Sequence, residues 1–226
     1  MAMHAAALGA DADAPPGPLT VCTFGDSVLD CGRYNEHGTT PGALMVRNDD
    51  ELFPEFRGRD LLTLGPTRLV HGAVDGATVD SLPAQLRQDL PPTRGVALVT
   101  VGGNDLLRGL ASDTGPGLRA FERKLEAFLE ALPVRPVFLG TVYDPTFGDD
   151  RRNFLGVPAH VARANHRRVN AAIGELAQRH GHLVDVHAHF LHGDPTWFTQ
   201  VIEPSLAGAS EVRRVFLNAV CASCRR

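Results

Sequence analysis

The chain has 226 residues, of which 43% are hydrophobic, and a formal net charge of -4 at pH 7. That composition fits one globular domain with a core of ample size. No basic excess is available to neutralise phosphates, which argues against nucleic acid as a partner, and no apolar run approaches the roughly 18 residues needed to cross a bilayer.

In chain order, residues 1–17 read as a flexible tail and residues 18–226 as a single domain. The N-terminal stretch lacks a positive region followed by a long apolar one, so it makes a poor signal peptide. With that reading, Cys22, Cys31, Cys221 and Cys224 are expected as reduced thiols in a cytoplasmic protein. Cys221 and Cys224 form a single C-x-x-C with no second half, which is weak evidence for zinc.

The first expected strand is Leu19–Phe24 and the second Arg68–Val74. Between them the polar segment from Cys31 to Gly65 reads either as an insertion bordering an active site or as plain surface loop. Val96–Val101 is a continuous apolar run, as a strand buried on both faces requires. Pro136–Val142 and Leu183–Val186 follow the same style. Helical spacing appears in Leu118, Phe121, Leu125, Phe128, Leu129 and Leu132, again after Pro158, and again after Pro204. Five strands alternating with helices predict a three-layer α/β/α domain on a parallel sheet, with function at the carboxyl ends of the strands.

Ser27, in Phe24-Gly25-Asp26-Ser27, stands at such an end. A serine on a sharp turn past a buried strand presents its hydroxyl as an acyl acceptor. Gly102-Gly103-Asn104-Asp105 follows the third strand, and Gly76 follows the second. Ser27 N–H, Gly76 N–H and Asn104 Nδ2 would together supply three donors to one oxyanion. No Gly-x-Gly-x-x-Gly or phosphate-loop pattern follows a strand, so no nucleotide or flavin cofactor is expected.

These blocks resemble the SGNH hydrolases of the GDSL esterase/lipase superfamily over roughly residues 18–222. The resemblance implies a five-stranded sheet in the flavodoxin-like order 2-1-3-4-5. It also implies hydrolysis of a small-molecule carboxylic ester through an acyl-serine, without metal or cofactor. Ser27 takes the place of the nucleophile, Gly76 the second-block glycine and Asn104 the third-block asparagine. Where the second block usually starts with asparagine this chain has His71.

The fourth block departs. The family's Asp-x-x-His-Pro is replaced by a segment ending in Glu203-Pro204, which puts Gln200 and Glu203 at the aspartate and histidine positions. Three readings follow. Glu203 itself takes the Ser27 proton, helped by burial that raises its pKa. Alternatively a histidine serves as base and Glu203 orients it; His187 and His189 are the best suppliers and His192 lies slightly further on. In the third, the site binds without turnover. Asp185, His187 and His189 alternate, which would place them on one face of an extended segment; a His-x-His metal site there lacks a third ligand. Trp197 and Phe198 either wall a substrate pocket or anchor their loop.

Overall fold

The computed structural model describes residues 17–86, 90 and 95–223. All but the last residue of the expected N-terminal tail, and Cys224, lie outside the described residues.

The sheet is built from β1 (Leu19–Gly25), β2 (Thr67–His71), β3 (Gly95–Thr100), β4 (Val137–Gly140) and β5 (His182–Val184). All neighbours are parallel, in the order β2-β1-β3-β4-β5. Every residue of β3 and β4 is buried. That follows from helices covering both faces and explains the unbroken apolar runs. The helices are α1 (Pro41–Val46), α2 (Gly103–Leu107), α3 (Pro116–Ala131), α4 (Ala159–His180), α5 (Val186–Leu191) and α6 (Leu206–Ser223). One apolar cluster joins the sheet to α3 and α4 through Phe121, Leu125, Phe128, Val169 and Ile173. The other joins it to α1, α5 and α6 through Leu44, Met45, Phe190, Val212 and Phe216. This is a three-layer α/β/α sandwich in the expected strand order.

The second strand ends earlier than its sequence pattern suggests. Past His71 the chain still tracks the edge of β1, with Gly72 N bonded to Thr23 O and Val74 N to Gly25 O, both at 2.9 Å. The fifth strand is also cut short, because Asp185 accepts a hydrogen bond from Ala188 N and caps α5. His187 and His189 therefore sit on a helix rather than an extended segment. Two residues apart on a helix is roughly 200° of rotation, so the shared face expected from alternation does not form.

The segment between β1 and β2 is tied to α6 by a buried cation. Arg213 is 0% exposed, donates to Asn48 Oδ1 at 2.8 Å and lies over the ring of Phe56. Burial lowers its pKa to about 10, which leaves it charged at neutral pH. Phe53 and Phe56 of this segment are part of the core, so it is not plain surface loop.

The carboxyl end of β1 is clamped from both sides. Gly25 has φ +121°, and a Cβ there would lie 1.7 Å from the Thr100 carbonyl oxygen. Only glycine lets β1 and β3 stay paired to their last residues. On the other side Gln85 accepts from Gly25 N at 2.7 Å and donates to Gly25 O at 2.8 Å. The near-isosteric Gln85→Leu leaves the buried Gly25 N–H without its acceptor. Urea denaturation is expected to show a loss of about 1–3 kcal/mol.

Candidate active site

The clamp on Gly25 places the next two residues at the rim of the sheet. Asp26 is 2% exposed and turns inward, where its Oδ1 accepts from Thr100 Oγ1 at 2.9 Å and from Val28 N at 3.2 Å. Burial pushes its carboxyl up to about 6 against those two hydrogen bonds, and the neighbouring Asp105 and Glu203 add to the push. The backbone carbonyl of Asp26 accepts from Leu29 N and Asp30 N. These bonds close the turn that carries Ser27, whose own N–H has no acceptor among the described residues.

A second loop, after β2, comes up beside this turn. Its backbone is tethered at successive residues. Asp75 N donates to Asp30 Oδ2 at 2.9 Å, Arg108 donates to Gly76 O at 3.1 Å, Asn104 Nδ2 donates to Ala77 O at 3.1 Å, and Val79 N donates to the Asp105 carboxyl at 3.2 Å. Ala77 N and Thr78 N are satisfied inside the loop, by Val74 O and Ser81 Oγ. From Asp75 to Val79, only the Gly76 N–H is left without an acceptor among the described residues. Gly76 has φ +77°, a left-handed conformation that favours glycine.

Asn104, on the first turn of α2, lines the same pocket as Ser27. Gly102, with φ +117°, makes the sharp exit from β3 that brings it there. One of the two Asn104 amide hydrogens goes to Ala77 O, and the other remains for a ligand. Ser27 and Asn104 thus share one pocket, and Gly76 stands next to the Ala77 whose carbonyl Asn104 holds.

Glu203 arrives on a small hairpin of β6 (Phe198–Thr199) and β7 (Glu203–Pro204). Gln200 and Val201 turn the hairpin with φ values of 46° and 76°. A β-branched residue is strained in that region, so the surroundings must hold it. Tyr143 OH donates to Ile202 O at 2.6 Å, and Ser205 N donates to Trp197 O at 2.9 Å. The hairpin brings the Glu203 carboxyl close enough to Ser27 for the hydroxyl to favour its charged form. Oε2 of Glu203 is buried and has no hydrogen-bond partner among the described residues. Burial raises the Glu203 pKa above 4.5 and the nearby Asp75 charge raises it further, while the Ser27 hydroxyl and Arg33 oppose the shift. Asp75 is itself engaged by Tyr34 OH at 2.7 Å and Arg33 at 3.0 Å.

The histidines expected near the base position make their interactions elsewhere. His189 Nε2 pairs with Glu211 at 2.8 Å and its ring stacks on Trp197. His187 lies against the His166 ring, with centroids 4.8 Å apart, and burial lowers its pKa. His192 closes α5 at its C-cap. Trp197 and Phe198 pack on Phe190 and hold the hairpin, rather than lining the pocket at Ser27.

Sequence reading missed the supports of this site. His71 bridges Thr23 Oγ1 at 2.8 Å and Asp30 Oδ1 at 3.2 Å, and Asp30 in turn holds the Asp75 amide. No local motif marks these partners, since 41 positions separate Asp30 from His71. Among the described residues, the one cluster with metal-ligand spacing is Glu126, Glu130 and His180. It sits on α3 and α4, where Arg179 and His180 already pair with Glu126.

A parallel 2-1-3-4-5 sheet carrying a strand-end serine, a free glycine amide and an asparagine amide defines a GDSL-type hydrolase. The match to the model of the GDSL-like Lipase/Acylhydrolase family spans residues 23–209, and the chain belongs to that family. Among solved structures it is similar to LAE5, an α/β hydrolase from the metagenome of Lake Arreo, Spain. Identity to LAE5 is 26%, coverage 90% of this chain and 95% of that one, and the TM-score 0.62. Axe2, an acetylxylan esterase from Geobacillus stearothermophilus, shares the fold at 21% identity, over 88% of this chain and 92% of that one, with a TM-score of 0.61. The acetyl xylan esterase AlAXEase does so at 18% identity, over 89% and 99%, with a TM-score of 0.64. No curated protein matches the chain in sequence. No helix among the described residues is long and apolar enough to cross a membrane.

Asp30→Ala is a test of the loop tether. It frees the Asp75 amide beside Gly76 and is expected to lower kcat for an ester substrate by about 10- to 100-fold, with little change in KM. Far-UV circular dichroism of the variant should stay unchanged.

Proposed function

We propose that the protein is a serine esterase that hydrolyses carboxylic esters through an acyl-Ser27 intermediate, without a metal, and that Glu203 is its general base. The hairpin's placement of Glu203 near Ser27, with a buried carboxyl oxygen left unpartnered among the described residues, carries this reading. A carboxylate is ordinarily a weak base near neutrality. Here burial and the Asp75 charge raise its proton affinity, and its unpartnered oxygen leaves it room to accept a proton. The acetylxylan esterases that share the fold support an ester as the bond cleaved.

In the first half-reaction Glu203 takes the Ser27 proton as Oγ attacks the ester carbonyl. The developing oxyanion is met by Ser27 N–H, Gly76 N–H and Asn104 Nδ2–H. The protonated Glu203 then gives its proton to the leaving alcohol oxygen, and the C–O bond breaks to leave acyl-Ser27. In the second half, Glu203 deprotonates a water that attacks the acyl carbonyl. Return of the proton to Ser27 Oγ releases the acid. His187 and His189 take no part, because their rings are held by His166 and by Glu211.

Ser27→Ala is expected to abolish hydrolysis of p-nitrophenyl butyrate and labelling by a fluorophosphonate probe; undiminished turnover in that variant would reject the nucleophile. Asn104→Ala should cost about 2–4 kcal/mol in the barrier, read from kcat.

The base has its own test. Glu203→Gln should slow acylation by about 10²–10⁴-fold, whereas His187→Ala and His189→Ala should be mild. Only the deprotonated carboxylate can accept the proton, so kcat/KM must fall as pH drops through the pKa of Glu203. Because that pKa is raised, the acid limb should lie above 4.5 in the wild type. The limb should be absent from the residual activity of Glu203→Gln.

A further inference from the structure

We infer that the esterase accepts acyl chains longer than acetyl, and that they lie in an apolar groove between α2 and α4 that starts at Ser27. The inference rests on the ester-hydrolase reading above and names the acyl half of its substrate.

Ser27 and Asn104 line one pocket, and Glu203 is not among its walls. The base must protonate the leaving oxygen, so the alcohol departs on the Glu203 side, where Arg33, Tyr34 and Asp75 make a polar surround. The carbonyl carbon held against the oxyanion donors then directs its acyl substituent into the pocket. The walls met there are Val28, Leu106, Leu107, Val142, Phe154 and Leu155. Leu107 and Phe154 are 44% and 39% exposed, so apolar surface is open to a ligand at the rim of the cleft.

Polar groups also reach this pocket, but their bonds are already made. Thr141 Oγ1 donates to Asp185, Asp144 accepts from Thr146 N and Gly148 N, and Asp149 is paired with Arg151. Arg163 is paired with Asp144 and Asp150, and His166 Nε2 is bonded to Val142 O at 2.8 Å. With these groups engaged inside the protein, the apolar side chains are the walls an acyl chain meets.

α4 faces the pocket through Ala159, Ala162, Arg163 and His166, spaced as one side of a helix. Ala162 is 5% exposed and is the buried one of the two alanines on that wall. A larger side chain there takes space from the acyl chain rather than from the reacting carbonyl.

The test is a series of p-nitrophenyl esters from acetate to octanoate. Wild-type kcat/KM should be at least tenfold higher on hexanoate than on acetate. Ala162→Phe should lower the hexanoate-to-acetate ratio at least tenfold, and Phe154→Ser, at the exposed rim, should lower it severalfold. A wild type that works best on acetate, with rates falling along the series, overturns the inference, as does an unchanged ratio in both variants. A binding arm needs no turnover and separates this inference from the esterase reading. Titration of Ser27→Ala with hexanamide and with acetamide, followed by NMR, should show hexanamide binding at least tenfold more tightly. Equal affinity for the two amides overturns the groove even if wild-type esters are cleaved; a strong preference for hexanamide upholds it even if they are not.

Discussion

The site depends on the contact between Gly25 and the carbonyl of Thr100. A Cβ at position 25 would overlap that oxygen, so glycine alone lets the central strands remain paired to the rim. Everything after it is positioned by this approach. Asp26 is driven inward to Thr100 Oγ1, the turn closes on the Asp26 carbonyl, and Ser27 is left at the surface of the pocket with its amide free. Gln85, from the far side of the β2 loop, grips both backbone groups of the same glycine, so the turn that carries Ser27 and the Gly76 loop are joined as one body.

The electrostatics of the site follow from how many carboxyls this geometry gathers. Asp26, Asp105 and Glu203 all have raised pKa values, with burial the leading cause in each. Asp26 and Asp105 are nonetheless held by hydrogen bonds that favour their charged forms, and they serve the backbone. Glu203 is the exception, since one of its oxygens is buried with nothing to bond. An unsatisfied buried carboxyl oxygen is costly to a purely structural residue. Near the Ser27 hydroxyl, that oxygen supports the proposed role of Glu203 as base.

The same contrast explains which parts of the chain were legible beforehand. β3 and β4 announce themselves because strands buried on both faces must be apolar throughout. The positions of Ser27, Gly76 and Asn104 were legible because each follows a strand and is marked by a local backbone shape. His187 and His189 were misplaced because an alternating pattern of five residues does not distinguish a strand end from a short helix, and the Asp185 cap settles it for the helix. Asp30, Asp75 and Arg108 gave no signal and His71 showed only as a departure from the usual asparagine, since each acts on a residue or backbone group whose importance appears only after folding.

The chain's order of apolar runs, glycines and polar strand ends was enough to determine a doubly covered parallel sheet, its family and the residues that stand at its strand ends. Periodicity and local turn chemistry encode those features within a few residues of each position. The relation between Glu203 and Ser27 was decided by tertiary structure alone. It depends on a turn with two residues at positive φ, on Tyr143 holding Ile202, and on the enclosure that raises a carboxyl pKa. Burial and long-range distance are properties of the folded molecule, and no short stretch of sequence contains them.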